Sequence, residues 1–178
     1  MDDSQLNERI LELLQQPGRS SYLALWEIVT RSADYQPYSD GLRFANELAS
    51  EERWVEAIEA AHATMPNLLL SPRAHLLLAY LYDQLGNDRG VQMEVLFAQA
   101  CLEGILDTGN GTAEAPYLVT RTSDEYDVLE HLEKTFTQQA LCEQGNRHFD
   151  VLTCGDGSEL WFDITEPYSR LSGQRSRE

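Results

Sequence analysis

The sequence predicts a mainly helical α+β fold. Residues 1–106 are expected to form helical hairpins, and residues 107–166 a small α+β segment packed on them with a β-α-β-β-β antiparallel sheet. Residues 167–178 are expected to be a disordered tail. Three observations carry this reading. Apolar residues recur at helical spacing through the first hundred positions. The period changes to two after Lys134, with Gly145-Asn146 and Gly155-Asp156-Gly157 as turns between the runs. The chain has 178 residues, 42% of them hydrophobic, which suits one core and is too apolar for a disordered acidic protein.

The elements follow in order. Ser4 caps a first helix that aligns Leu6, Ile10, Leu13 and Leu14, and Pro17-Gly18 stops it. Ser20 or Ser21 opens a second helix with Tyr22, Leu25, Trp26 and Val29 on one face. Ser39 caps a third helix with Leu42, Phe44, Ala45 and Leu48. Ser50 caps a fourth with Trp54, Ala57, Ile58 and Ala61, which Pro66 ends. Ser71-Pro72 is an N-cap followed by proline at the first helical position; this fifth helix runs through Leu76, Ala79, Tyr80 and Leu85 to Gly86. A sixth runs from about Asp88 to Glu103, with Gly104 after it. Residues 107–112 are a loop and Tyr117–Thr120 a short strand. A helix starts at Ser123-Asp124-Glu125, where acids suit the dipole. Strands follow over 136–143, 148–154 and 160–164.

A shift of 34 residues pairs Phe44 with Leu78, Ala45 with Ala79, Leu48 with Tyr82, Ala57 with Val91 and Ala61 with Val95. That period and the order large, small, aromatic, turn glycine, small, small in Leu78, Ala79, Tyr82, Gly86, Val91 and Ala98 resemble the tetratricopeptide repeat. The units are degenerate. Glu52 stands where the turn glycine belongs, His75 where an aromatic opener belongs, and Val91 where alanine is usual.

A longer resemblance runs through Gly104-Ile105-Leu106, Thr108-Gly109, Gly111-Thr112, Pro116-Tyr117, Val119, Ser123-Asp124-Glu125-Tyr126, Phe149-Asp150-Val151-Leu152 and Trp161-Phe162-Asp163-Ile164. As a set these are similar to an uncharacterised bacterial domain-of-unknown-function family, over roughly residues 40–165. The resemblance implies tetratricopeptide-like helices ahead of this segment. It brings no activity, cofactor or catalytic residue.

Charge narrows the function classes. Thirteen Lys and Arg against 30 Asp and Glu leave a net charge of −17. Direct binding to a phosphate backbone or to anionic lipid needs clustered bases, so neither nucleic acid nor membrane is an expected partner. The acidic start Met1-Asp2-Asp3 is no secretory signal, and the longest apolar stretch, Leu76–Tyr82, is too short to span a bilayer. Three cysteines without a CxxC pair fit reduced thiols and a cytoplasmic setting.

No catalytic, cofactor or metal site is expected. The loop Asp107–Thr112 lacks the phosphate-loop lysine and the EF-hand spacing, so it reads as a turn from helix to strand. His62, His75, His131 and His148 form no metal-ligand spacing. Asp127 and His131 are placed for an i, i+4 ion pair, and His148 and Asp150 for a solvent-facing strand surface. Most Trp and Tyr residues, Tyr80 among them, read as repeat core, whereas Tyr35 and Tyr38 flank Pro37 in a loop and read as a contact surface.

The first functional expectation is a non-enzymatic protein-interaction module that holds a protein or peptide, preferentially a basic one. Repeat geometry nominates Arg43, Asn46, Glu47, His75 and Asp83 as partner-binding residues. The alternative is an acidic inhibitor or immunity-type protein masking a basic site. The third is an enzyme with a site near the 107–126 loop and helix start.

Overall fold

The computed structural model describes residues 3–65 and 67–175, and over these it contains eight helices and a four-stranded mixed sheet. The helices are α1 (Asp3–Gln15), α2 (Arg19–Arg31), α3 (Arg43–Ser50), α4 (Trp54–His62), α5 (Pro72–Gln84), α6 (Asp88–Leu106), α7 (Ser123–His131) and α8 (Thr165–Arg175). The strands are β1 (Tyr117–Leu118), β2 (Phe136–Gln144), β3 (Arg147–Cys154) and β4 (Glu159–Asp163). Pro66, expected to end α4, lies outside the described residues.

Local signals set most boundaries. Proline follows the Ser71 N-cap of α5, and the Asn87 side chain accepts a hydrogen bond from Gly90 N at 3.1 Å to cap α6. Four helix starts fall elsewhere than expected. Ser4 lies inside α1, and Ser20 and Ser21 lie inside α2, whose N-cap is Gly18. Ser39 sits in the turn ahead of α3, and Ser50 is the last residue of α3, so neither opens a helix.

The turn between α3 and α4 holds Glu52 at φ +59°, and 34 residues later Gly86 holds φ +66° between α5 and α6. A left-handed residue with a Cβ is strained there. Glu52→Gly is expected to stabilise the chain by about 1 kcal/mol. Urea unfolding checks this.

Gly104 does not end α6. It lies inside the helix, where a Cβ would stand 2.6 Å from Cβ and Cδ2 of Tyr22. The missing side chain lets α2 and α6 approach over the fully buried Tyr22 ring, whose hydroxyl donates to Leu118 O at 3.2 Å. Gly104→Ala is expected to cost about 1–3 kcal/mol through overpacking, read as a lower thermal midpoint.

The sheet has the order β1-β4-β3-β2. β2–β3 and β3–β4 are antiparallel, but β1 runs parallel to β4, pairing Tyr117 with Phe162. The expected all-antiparallel sheet is therefore corrected to a mixed one. β1 reaches β4 across the sheet edge after two intervening strands, a long-range pairing that local turn signals do not encode.

One core joins both halves of the chain. Leu13, Tyr22, Leu25, Val29, Cys101 and Ile105 from the helices meet Tyr117, Val119, Leu152, Phe162 and Ile164 from the sheet side. Ala45, Ala61 and Leu78, and beside them Leu48, Ala57 and Leu81, form smaller clusters between α3, α4 and α5. Of the expected disordered tail, residues 176–178 lie outside the described residues, and residues 167–175 are instead helical, inside α8 (Thr165–Arg175). Asp163 Oδ1 accepts from Thr165 N at 3.0 Å at its start, and Arg170 Nη2 donates to Thr30 O at 2.8 Å.

Several exposures differ from expectation. Tyr35 is buried, with its hydroxyl donating to Thr120 O, while Tyr38 is exposed. Asp150 shares its strand face with Leu152 and Cys154, which is the core side, so it is buried rather than solvent-facing. His148 stacks on Tyr168 of α8 at 4.0 Å. Asp127 pairs with Arg73, leaving His131 exposed.

Candidate functional site

Two regions bear on function: the outer face of the helical hairpins, and the junction where α7 meets the 35–42 loop.

Helix α5 carries the run Leu76-Leu77-Leu78-Ala79-Tyr80-Leu81-Tyr82, apolar around its whole circumference. Only one side can face the core. Ala74, His75, Leu78, Ala79 and Leu81 take it, and Leu76 and Tyr80, one turn apart, are left 51% and 48% exposed. Trp54 at the start of α4 meets the Tyr80 ring edge-on, with centroids 6.1 Å apart. Asp83 follows on the same side of α5 and is exposed. Tyr80, expected in the core, therefore belongs to the surface, as do Leu76 and Leu85.

The nominated residues divide. Arg43, Asn46 and Glu47 are exposed on α3. Arg43 stands 3.8 Å from both Asp40 and Glu47, loose surface pairs of small energetic weight. The Asn46 amide donates to Leu42 O at 2.9 Å. His75 is corrected: it is 3% exposed and cannot meet a partner. Its Nδ1 lies 2.7 Å from Glu94 Oε2, its Nε2 lies 2.8 Å from Leu69 O, and its ring stacks on Phe97 at 4.0 Å. It ties α5 to α6.

At the junction, Arg121 is buried and its Nη2 donates to the carbonyls of Gln36, Pro37 and Ser39 at 3.1–3.2 Å. Asn67 holds the same loop, accepting from Gln36 N at 2.9 Å and donating to Ser39 Oγ at 3.0 Å. Arg73 of α5 grips Asp127 of α7 with Nε and Nη2, at 3.0 and 2.7 Å, and donates to Ser123 O. A cleft of about 400 Å³ opens between Tyr38, Ser39, Asp40, Asn46, Arg73, Arg121 and Ser123.

Two carboxyls lie beneath this surface with no solvent exposure. Asp124 Oδ2 accepts from Thr120 Oγ1 at 2.8 Å and from Thr120 N at 3.3 Å. Burial pushes Asp124 up to about 7 against the opposing pull of Thr120 and Arg121. Neither oxygen of Glu125 has a hydrogen-bond partner, and burial, with Asp150 and Asp124 nearby, pushes Glu125 up to about 10. Asp150 is also raised by burial, opposed by the Gln139 amide at 2.5 Å. The sequence showed Asp124 and Glu125 as first-turn acids and carried no signal of their burial. Neither is among the residues lining the cleft, where both arginines are already engaged.

The glycine loop spends its own donors. Asn110 N and Gly111 N both donate to Ala115 O, at 2.8 and 3.1 Å, and Trp161 N donates to Gly111 O at 3.0 Å. Among the described residues, no group of three or more His, Cys, Asp or Glu is arranged to hold a metal ion. No helix among them is long and apolar enough to cross a membrane.

A family model described as a domain of unknown function, DUF4919, matches residues 32–171. The chain belongs to the DUF4919 family. The DUF4919 segment takes in α3 to α7, the whole sheet and the start of α8, so both the α5 face and the junction lie inside it. Nothing among curated proteins or solved structures matches the chain.

Proposed function

We propose that this DUF4919 protein is a non-enzymatic protein-interaction module that docks a basic protein or peptide on the outer face of α5. Exposed Leu76 and Tyr80, with the partly buried Trp54 ring against Tyr80, carry this reading. Large aromatic side chains that are rigidly held and partly exposed are the usual anchors of protein interfaces. Exposed Asp83 and Glu47 belong to the same hairpins, and the net charge of −17 favours basic partners and speeds their approach.

We read α3–α4 and α5–α6 as two degenerate tetratricopeptide-like units. The left-handed turn residues Glu52 and Gly86, 34 positions apart, support that reading, as do the buried small residues Ala45 and Ala79 at the same offset. Stacked hairpins of this kind offer their helix faces to partners.

The test is capture of partners from native lysate with the wild-type chain and with a Leu76→Ser/Tyr80→Ser variant, at low and high salt. Both positions are half exposed, so the fold is expected to persist, checked by circular dichroism. A basic partner held by the wild type, released by salt and bound at least about 30-fold more weakly by the variant supports the proposal; that factor corresponds to about 2 kcal/mol at a hot spot. Equal capture by both chains contradicts it.

A further inference from the structure

β2 occupies one end of the sheet order β1-β4-β3-β2. Among the described residues no backbone hydrogen bond reaches its outer edge. The turn Gly145-Asn146, with Gly145 at φ +62°, places Gln144 opposite Arg147. Residues flanking a two-residue hairpin turn exchange hydrogen bonds with each other. Alternate residues therefore turn their N–H and C=O groups away from β3, here Gln139, Leu141 and Glu143. The only irregularity in β2 lies between Phe136 and Gln138, so the stretch from 139 to 144 is regular.

Exposed edges are normally blunted by lysine, proline, bulges or inward charges. This one has neither Lys nor Pro, and its single charge is Glu143 in a chain where 24% of residues are charged. Leu141 is 50% exposed and Phe136 40% exposed.

We propose that β2 is a self-association edge, where a second copy of this chain adds its own β2 antiparallel to form one continuous eight-stranded sheet. The charge pattern selects this occupant. With Leu141 opposite Leu141 of the second copy, Glu143 faces Gln139 of that copy and no acid faces an acid. The two Glu143 carboxylates then lie four residues apart along the joint, roughly 13 Å. That exceeds the screening length of about 8 Å at physiological ionic strength. A basic peptide would find one acid along the whole edge, so the edge is not suited to the kind of partner proposed for α5. Five paired residues on each copy, 139 to 143, bury less than the roughly 800 Å² per partner of a standard stable interface, so the dimer forms reversibly. Each copy carries −17, so added salt strengthens pairing, the reverse of docking to a basic partner.

The test is sedimentation velocity of the full chain over a concentration series at two salt concentrations, with Leu141→Lys, Leu141→Glu and their equimolar mixture alongside. The expected result has three parts. The wild type shifts from one 20.2 kDa chain to two with concentration, and more so at high salt. Each variant alone stays single, because it sets like charges opposite each other. The mixture pairs again. Hydrogen exchange gives an independent reading on the wild type, in which the amides of Gln139, Leu141 and Glu143 exchange more slowly as concentration rises. A chain that stays single throughout overturns the proposal, as does a dimer that both variants leave intact or one that leaves the β2 amides unprotected.

Discussion

Glu125→Met is expected to raise the stability of the chain by about 1–4 kcal/mol at neutral to alkaline pH. The carboxyl is fully buried, both of its oxygens lack a partner, and the side chain of Met fills similar space without a charge to desolvate. The pH dependence gives the expectation a sign. In the unfolded chain Glu125 loses its proton near 4.5, and in the folded chain near 10. Between those values the folded state binds the proton that the unfolded state has released. Stability therefore falls as pH rises across that window. Asp124 adds the same trend between its ordinary 3.8 and about 7. Urea unfolding at pH 5, 7 and 9 should show the wild type weakening with pH and Glu125→Met weakening less, with the largest gain at pH 9. A variant no more stable than the wild type at pH 9 would mean that Glu125 has a stabilising partner.

Arg121→Met is expected to cost about 3–5 kcal/mol, the scale for removing one member of a buried charged network. It would strip the donor from the carbonyls of Gln36, Pro37 and Ser39 at once. It would also remove the positive charge that opposes the upward push on buried Asp124. Limited proteolysis should then cut within 36–41, the loop that Arg121 and Asn67 hold. A loss below about 1 kcal/mol with the loop still protected would assign the clamp to Asn67 and Tyr35 instead.

What could be read in the sequence follows from how local each signal is. The α5 start at Ser71-Pro72, the Gly86 turn and the Gly145-Asn146 hairpin are written in a few adjacent residues, and they fall where expected. The rotation of α5 is not local. With seven apolar residues in a row, any face satisfies the helical period, and only packing on α3, α4 and α6 decides that Leu76 and Tyr80 stay outside. His75 reads as a polar surface residue until Glu94 and Leu69 O arrive from elsewhere to satisfy both of its nitrogens. Asp124 and Glu125 look like ordinary first-turn acids because groups that lie near them in the fold, Tyr35, Tyr38 and Asp150, are distant in sequence. The α8 start did leave a local trace: Asp163 Oδ1 accepts from Thr165 N, and Pro167 stands two residues into the helix, a start signal masked by the polar residues that follow it.

The most direct test of the interaction role is hydrogen exchange on the wild-type chain, free and bound to the basic partner captured with it. Docking on the α5 face predicts new protection over residues 74–84 and the start of α4 at Trp54, with the β2 amides unchanged by that partner. Protection confined to the junction cleft or to the sheet, with α5 exchanging as in the free chain, would contradict the assignment.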